Sequence, residues 1–177
     1  MKRRELLAAG AAFGALGSAG ARAQNAPLRV ALISPATGVL SAFGATNTYV
    51  HGLFAERLAA GLPTRHLGQR AVTLELYDAA SSPARAAEIA AALAANGTHL
   101  VLATATPEIC NPVADVCEAA GVPCVTSVVP WQAWFHGRKG NPNKGFQWTF
   151  HFFVGLEDFA GVYGSLFARA GLGRVVG

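Results

Sequence analysis

Much of what marks an enzyme is missing from this chain. There is no G-x-S-x-G elbow to expose a nucleophilic serine. His51, His66, His99, His136 and His151 show no H-x-x-x-H spacing for a metal. Neither a G-x-G-x-x-G nor a Walker loop follows any candidate strand, so a phosphate cradle is not expected; Asp78 lacks the glycine loop a ribose contact needs before it. No catalytic residue, metal or cofactor is assigned. Cysteine is scarce: Cys110, Cys117 and Cys124 stand seven residues apart, too widely for paired zinc ligands. They are read as buried small side chains, with a Cys117–Cys124 bridge left open by the oxidising compartment inferred below.

Long apolar runs are also missing beyond the first residues. Lys2, Arg3 and Arg4 precede a short Ala/Gly-rich stretch, Leu6 to Leu16, too short to span a bilayer. Ala21-Arg22-Ala23 then supplies a small-x-small cleavage pattern, so residues 1–23 are read as a signal peptide. Arg3-Arg4-Glu5-Leu6-Leu7 fits the twin-arginine type, with general secretory export as the alternative. The expected localisation is periplasmic, with no stable membrane insertion once the signal is removed. The net charge of +4 is mostly that address: without Lys2, Arg3, Arg4, Arg22 and Glu5, ten basic and nine acidic residues remain. Such a balance gives no footprint for nucleic acid. Arg138-Lys139 with Lys144 is the one local basic cluster, expected to be a solvated loop.

What remains, 154 of the 177 residues, suffices for one α/β domain. A strand over Leu28–Ser34 leads into Pro35-Ala36-Thr37-Gly38 and a helix over Ser41–Ala60, with Phe43, Val50, Phe54 and Leu58 on its apolar side. The second strand, Val72–Asp78, alternates strictly, which places it nearer a sheet edge. Ser82-Pro83 opens the next helix and Asn96-Gly97 stops it. Leu100–Thr104 is a third strand, followed by Thr106-Pro107-Glu108 and a helix that Asn111-Pro112 is expected to start. Gly121-Val122-Pro123 leads into a fourth strand to Ser127; a fifth is expected over Phe146–Phe150, a helix over Leu156–Ala170 and a further strand from Arg174. Strands alternating with helices at this spacing predict a doubly wound parallel sheet, with the loops after the first, third and fourth strands on one rim. Ligands bind at such rims.

Pro35-Ala36-Thr37-Gly38 with Ala42-Phe43-Gly44, then Leu76-Tyr77-Asp78 with Ser82-Pro83, then Gly121-Val122-Pro123, in that order behind an export signal, resemble the type I periplasmic binding proteins. Within these the chain resembles the branched-chain amino-acid (Leu/Ile/Val-type) substrate-binding components of ABC transporters. The resemblance implies a flavodoxin-like lobe over residues 24–150, and the start of a second, incomplete lobe over 151–177. It implies a non-enzymatic role: capture of a small amino-acid-like, amide or aromatic solute in the cleft between lobes and delivery to an inner-membrane permease. A ligand-sensing module feeding a receptor or regulator is the alternative.

Carried onto this sequence, the resemblance makes Phe43 the aromatic that packs on the ligand. It places the carboxylate-binding serine at or beside Pro107, which cannot donate a backbone hydrogen bond, so Thr104 and Thr106 stand in. Glu108 either meets a ligand cation or favours the following helix through its dipole. After the fourth strand, Ser127 and Trp131 complete the candidate ligand contacts, while Trp134 and Phe135 pack down a long loop. These departures point away from a simple amino acid, toward amides, aromatic acids or urea-like solutes.

Overall fold

The computed structural model describes residues 26–65 and 68–173; the signal segment and the strand expected from Arg174 lie outside them. Five strands, β1 (Leu28–Ser34), β4 (Val72–Asp78), β5 (Leu100–Thr104), β6 (Cys124–Ser127) and β7 (Thr149–Phe152), form one sheet in the order β4-β1-β5-β6-β7. Every pairing in it is parallel, and the alternating β4 lies at an edge as its pattern predicts. The long helices are α1 (Ser41–Ala59), α2 (Pro83–Ala95), α3 (Pro107–Ala120) and α5 (Leu156–Arg169); α4 (Trp131–Phe135) is short. A hairpin of β2 (Leu62–Thr64) and β3 (Gly68–Arg70), which the sequence reading lacks, joins α1 to β4.

The sheet's two faces differ. Ala31, Ile33, Val101, Ala103 and Cys124 are buried on one face, against Ala86, Ala90 and Leu93 of α2 and Ile109, Val113 and Cys117 of α3. Alanine and cysteine at these contacts let the helices approach the sheet closely. The other face presents Leu32, Leu102, Val125 and Phe150 as one row across β1, β5, β6 and β7. There α1 lies mainly over β4, and Gly44 is its one buried residue. A Cβ at Gly44 would stand 2.1 Å from the Pro35 carbonyl oxygen, so glycine is what lets this helix meet the end of β1.

Three sequence expectations need correcting. The helix expected to start at Asn111-Pro112 begins at Pro107, with Thr106 as its N-cap and Pro112 inside it. The missing Pro112 N–H frees only the carbonyl of Glu108, an exposed residue. The fifth strand is Thr149–Phe152, not Phe146–Phe150. The Glu118 carboxylate accepts the N–H groups of Gln147, Trp148 and Thr149 (2.7, 3.0 and 3.0 Å), so the N–H groups leading into β7 go to a side chain, and contact with β6 begins only at the Trp148 carbonyl, which accepts from Cys124 N (2.9 Å).

The basic cluster is the third correction. Arg138 is buried, not solvated: its Nε lies 2.7 Å from Asp115 Oδ1, and its guanidinium stacks over Trp134 and Phe146. It ties the segment after α4 to α3. Trp134, 6% exposed, packs on His151 with the rings 5.0 Å apart, so this member of the aromatic cluster holds the loop down as expected.

Candidate functional site at the carboxyl rim of the sheet

The rim is built from five loops, and its first two are clasped together. Asp78, ending β4, accepts from Thr37 N (3.1 Å), Thr37 Oγ1 (2.6 Å) and Ala80 N (2.8 Å). Burial opposes ionisation of this carboxyl, but the hydrogen bonds outweigh it and hold it below the usual carboxylate range. Ser81 Oγ donates to Thr37 O (2.7 Å) and accepts from Leu40 N (3.0 Å). Asp78 therefore shapes the β1–α1 loop.

Backbone strain gathers at the same rim. Ala80 (φ 48°), Ser81 (φ 57°), Ala105 (φ 139°) and Val128 (φ 70°) hold conformations that side chains disfavour. Such residues cost about 1–3 kcal/mol each and cluster at ligand-binding positions. Ala105 and Val128 directly follow β5 and β6, the two central strands whose ends meet the rim.

Between α1 and the sheet opens a cavity of about 650 Å³ that runs from Leu28, Val72 and Leu100 at the amino ends of β1, β4 and β5 to the carboxyl ends of β5 and β6. Thr104 and Ser127, register partners at the ends of β5 and β6, line it together with Asn47 of α1. Asn47 Nδ2 donates to Ser34 Oγ (2.8 Å) and Ser127 Oγ donates to the Phe152 carbonyl (2.7 Å). Thr104 Oγ1 is shut off from solvent and has no hydrogen-bond partner. Below these polar groups the walls are Leu32, Leu102 and Val125.

The structure thus brings Thr104 and Ser127 together and places the other three candidates elsewhere. Phe43 is half exposed in the first turn of α1 and does not line the cavity. Thr106 caps α3 with its backbone but not its side chain. Its hydroxyl lies near Glu108 and, with Glu108's own N–H, holds that carboxyl below its usual range, although no well-formed hydrogen bond satisfies Thr106 Oγ1. Trp131, 40% exposed, lines a second hollow of about 380 Å³ beside β7, with Phe146, Phe150 and His151. Its Nε1 donates to Glu157 Oε1 (2.8 Å), and Gln132 Nε2 contacts the same carboxylate, so α4 grips the start of α5.

Asn47 and Glu157 were not anticipated. Asn47 stands on the stripe of Phe43, Val50, Phe54 and Leu58, and one polar residue on an apolar stripe is the signal that could have revealed it. Glu157 left no comparable signal.

His151 pairs with Thr126 and the Val129 carbonyl, not with Ser127, so the rim serine has no base beside it. Among the described residues no group of three or more His, Cys, Asp or Glu could hold a metal ion. No helix among them is long and apolar enough to cross a membrane.

Comparison with curated proteins finds no match. Among solved structures, the chain is similar to the leucine-binding protein LivK of Thermotoga maritima (24% identity, TM-score 0.59, 82% of this chain and 38% of that one). It is also similar to the branched-chain amino-acid transporter substrate-binding protein LivJ of Streptococcus pneumoniae, solved with isoleucine (16%, TM-score 0.59, 73% and 34%). A third likeness is to an ABC transporter substrate-binding protein of Desulfitobacterium hafniense complexed with Leu (15%, TM-score 0.59, 82% and 40%). At these identities the likeness is one of fold, and the chain spans between a third and two fifths of each solved chain. A family model described as "Periplasmic binding protein" matches residues 27–176. With that match covering nearly all of the described sheet and helices, the chain belongs to the periplasmic binding protein family.

Proposed function

We propose that this chain is the first ligand-binding lobe of an exported solute-binding protein that hands a small solute to an ABC permease of the inner membrane. The observation that carries the reading is the rim cavity. A buried, unpartnered Thr104 hydroxyl stands beside Ser127 and Asn47 at the carboxyl end of a parallel sheet, flanked by the strained Ala105 and Val128. A buried hydroxyl left without a partner loses about 1–3 kcal/mol, which a ligand hydrogen bond recovers. Rim positions of this kind are where open α/β sheets hold ligands.

In this reading residues 1–23 are the export signal, 24–150 the first lobe and 151–177 the entry into a second. The solute class is amino-acid-like, amide or aromatic; the solved chains bound to isoleucine and Leu support the amino-acid-like end of that range. The rim closes on solute by hinge motion against the second lobe. The proposed role is binding, which the family match supports.

Solute uptake tests this directly. Deleting the gene is expected to abolish high-affinity uptake of one solute class, and complementation with a Thr104→Val form is expected to restore it poorly. A deletion that leaves uptake intact but removes a response to the solute would favour the sensing alternative. Export is checked by fractionation: an Arg3→Lys, Arg4→Lys form is expected to stay in the cytoplasm if the signal is twin-arginine.

A further inference from the structure

The cavity under α1 has a floor set by the pleat. Alternate residues of a strand face the same side of a sheet. In the observed register Leu28 lies beside Val72, Val30 beside Leu74 and Leu100, Leu32 beside Leu102, and Leu102 beside Val125. These side chains make one continuous apolar floor across four strands, and the Thr104–Ser127 pair closes it at the carboxyl end. Leu32 and Val72 are only 5% and 3% exposed, so the floor lies deep rather than open to water.

Helix α1 roofs this floor without filling it. Gly44 sets the start of the helix against Pro35, and His51 Nε2 donates to the Leu74 carbonyl (2.9 Å), which draws the helix over β4. Val50, Phe54 and Leu58 then stand along the space as a wall. The volume left, about 650 Å³, is that of a small-molecule pocket. From Leu28 to the level of Thr104 the sheet advances roughly 20 Å at the ordinary strand rise, so the space is elongated. Of the described residues that line it, the polar ones stand at its ends. Asn47, Thr104 and Ser127 lie at the carboxyl end. His99 lies at the amino end, where its Nδ1 accepts from Arg29 N (3.0 Å) and its Nε2 keeps the proton.

We infer that this space holds an extended aliphatic chain: the solute carries an unbranched tail that runs from a polar head at Thr104 back under α1 toward His99. The inference rests on the solute-binding reading and goes beyond it by naming the tail, with the head left as amide or amino-acid-like. Thr104 Oγ1, buried and without a partner among the described residues, is the group left for an oxygen of the head. Everything between that hydroxyl and His99 is apolar, which matches methylenes and disfavours a second polar group midway.

The test is calorimetric titration of two straight-chain series into the exported protein: norvaline, norleucine, α-aminooctanoate and α-aminodecanoate, and then butanamide, hexanamide and octanamide. The head is constant within a series, so a change in affinity reads the tail alone. Affinity is expected to rise with each lengthening, by up to about fourfold per methylene where the added group is fully buried. Val50→Trp narrows the space about one turn beyond Asn47, and Phe54→Asp puts a charge in the same wall. In both, the long members are expected to lose their advantage while the shortest bind as in the parent. Thr104→Val is expected to weaken all members of a series by a similar factor. Val50 and Phe54 are 37% and 45% exposed, so both variants are expected to fold, which circular dichroism verifies. Short members that bind while longer ones bind no better overturn the inference and leave the solute-binding reading standing. A gain with length that survives unchanged in both wall variants puts the tail elsewhere and also overturns it. Binding of no member to the parent contradicts the solute-binding reading itself, and this inference with it.

Discussion

The guanidinium carbon of Arg138 sits 3.9 Å from the centre of the Phe146 ring, in a side chain with no solvent exposure. Asp115, which neutralises it, is by contrast 56% exposed. The pair is therefore asymmetric: the cation depends on its protein partners, whereas the carboxylate can return to water. Asp115→Asn strands the buried guanidinium without a counter-charge and is expected to cost about 3–5 kcal/mol, whereas Arg138→Met leaves only a solvated carboxylate and a lost ring stack, about 1–3 kcal/mol. Urea unfolding of both variants checks the order. Equal, negligible losses would mean that the segment after α4 is not held by this side chain.

Gly44 gives a steric prediction. Gly44→Ala puts a methyl 2.1 Å from the Pro35 oxygen, a backbone atom that cannot swing aside. Overpacking of this kind costs about 1–3 kcal/mol. Thermal unfolding is expected to show that loss, whereas Gly52→Ala, where a Cβ meets nothing within 4 Å, is expected to stabilise α1 slightly.

Acid is expected to weaken the fold in two steps. His151 is pushed below its ordinary value, first by burial. The unfolded chain therefore takes up its proton more readily, and stability falls as pH drops below about 6.5, levelling once the folded ring is also charged. Glu118 is partly buried, which opposes ionisation, but the N–H groups of residues 147–149 and the Thr149 hydroxyl outweigh that and hold it below its usual range. Its contribution is full above about pH 4.3 and is lost as pH falls toward the lower folded value. Glu118→Gln is expected to remove the second step and to cost about 1–3 kcal/mol at neutral pH. A pH series of unfolding curves for the parent, His151→Gln and Glu118→Gln forms checks both.

The three cysteines are buried and free, and burial raises the Cys110 thiol to about 12. Ellman's reagent is expected to find no reactive thiol in the native protein and three after denaturation without reductant. One thiol after denaturation would instead mean that a pair, with Cys117 and Cys124 the candidates, is bridged in the exported protein.

Strand and helix order was legible because each buried strand is a short apolar run and turn signals stand at element ends: Pro35-Ala36-Thr37-Gly38 after β1, and Asn96-Gly97 and Gly121 after α2 and α3. The errors fell where long-range contacts override local pattern. Glu118 takes the N–H groups leading into β7, and Pro112 is carried inside α3 because the helix is nucleated earlier, at Thr106-Pro107. Arg138 looked solvated because the Asp115 that buries it lies 23 positions away. At the rim, Thr104 and Ser127 came from the resemblance, and the structure places both at strand ends. Asn47 and Glu157 required knowing how α1 covers the sheet and how α4 meets α5.

The most direct measurement is a thermal-shift titration of the exported protein against small amides, amines and amino acids, run in parallel on Thr104→Val. A solute that raises the melting temperature saturably in the parent, and much less in the variant, is the expected result, since Thr104 is the residue lining the cavity whose buried polar atom has no partner among the described residues. No shift with any solute, or an identical shift in both proteins, would contradict a ligand site at the ends of β5 and β6.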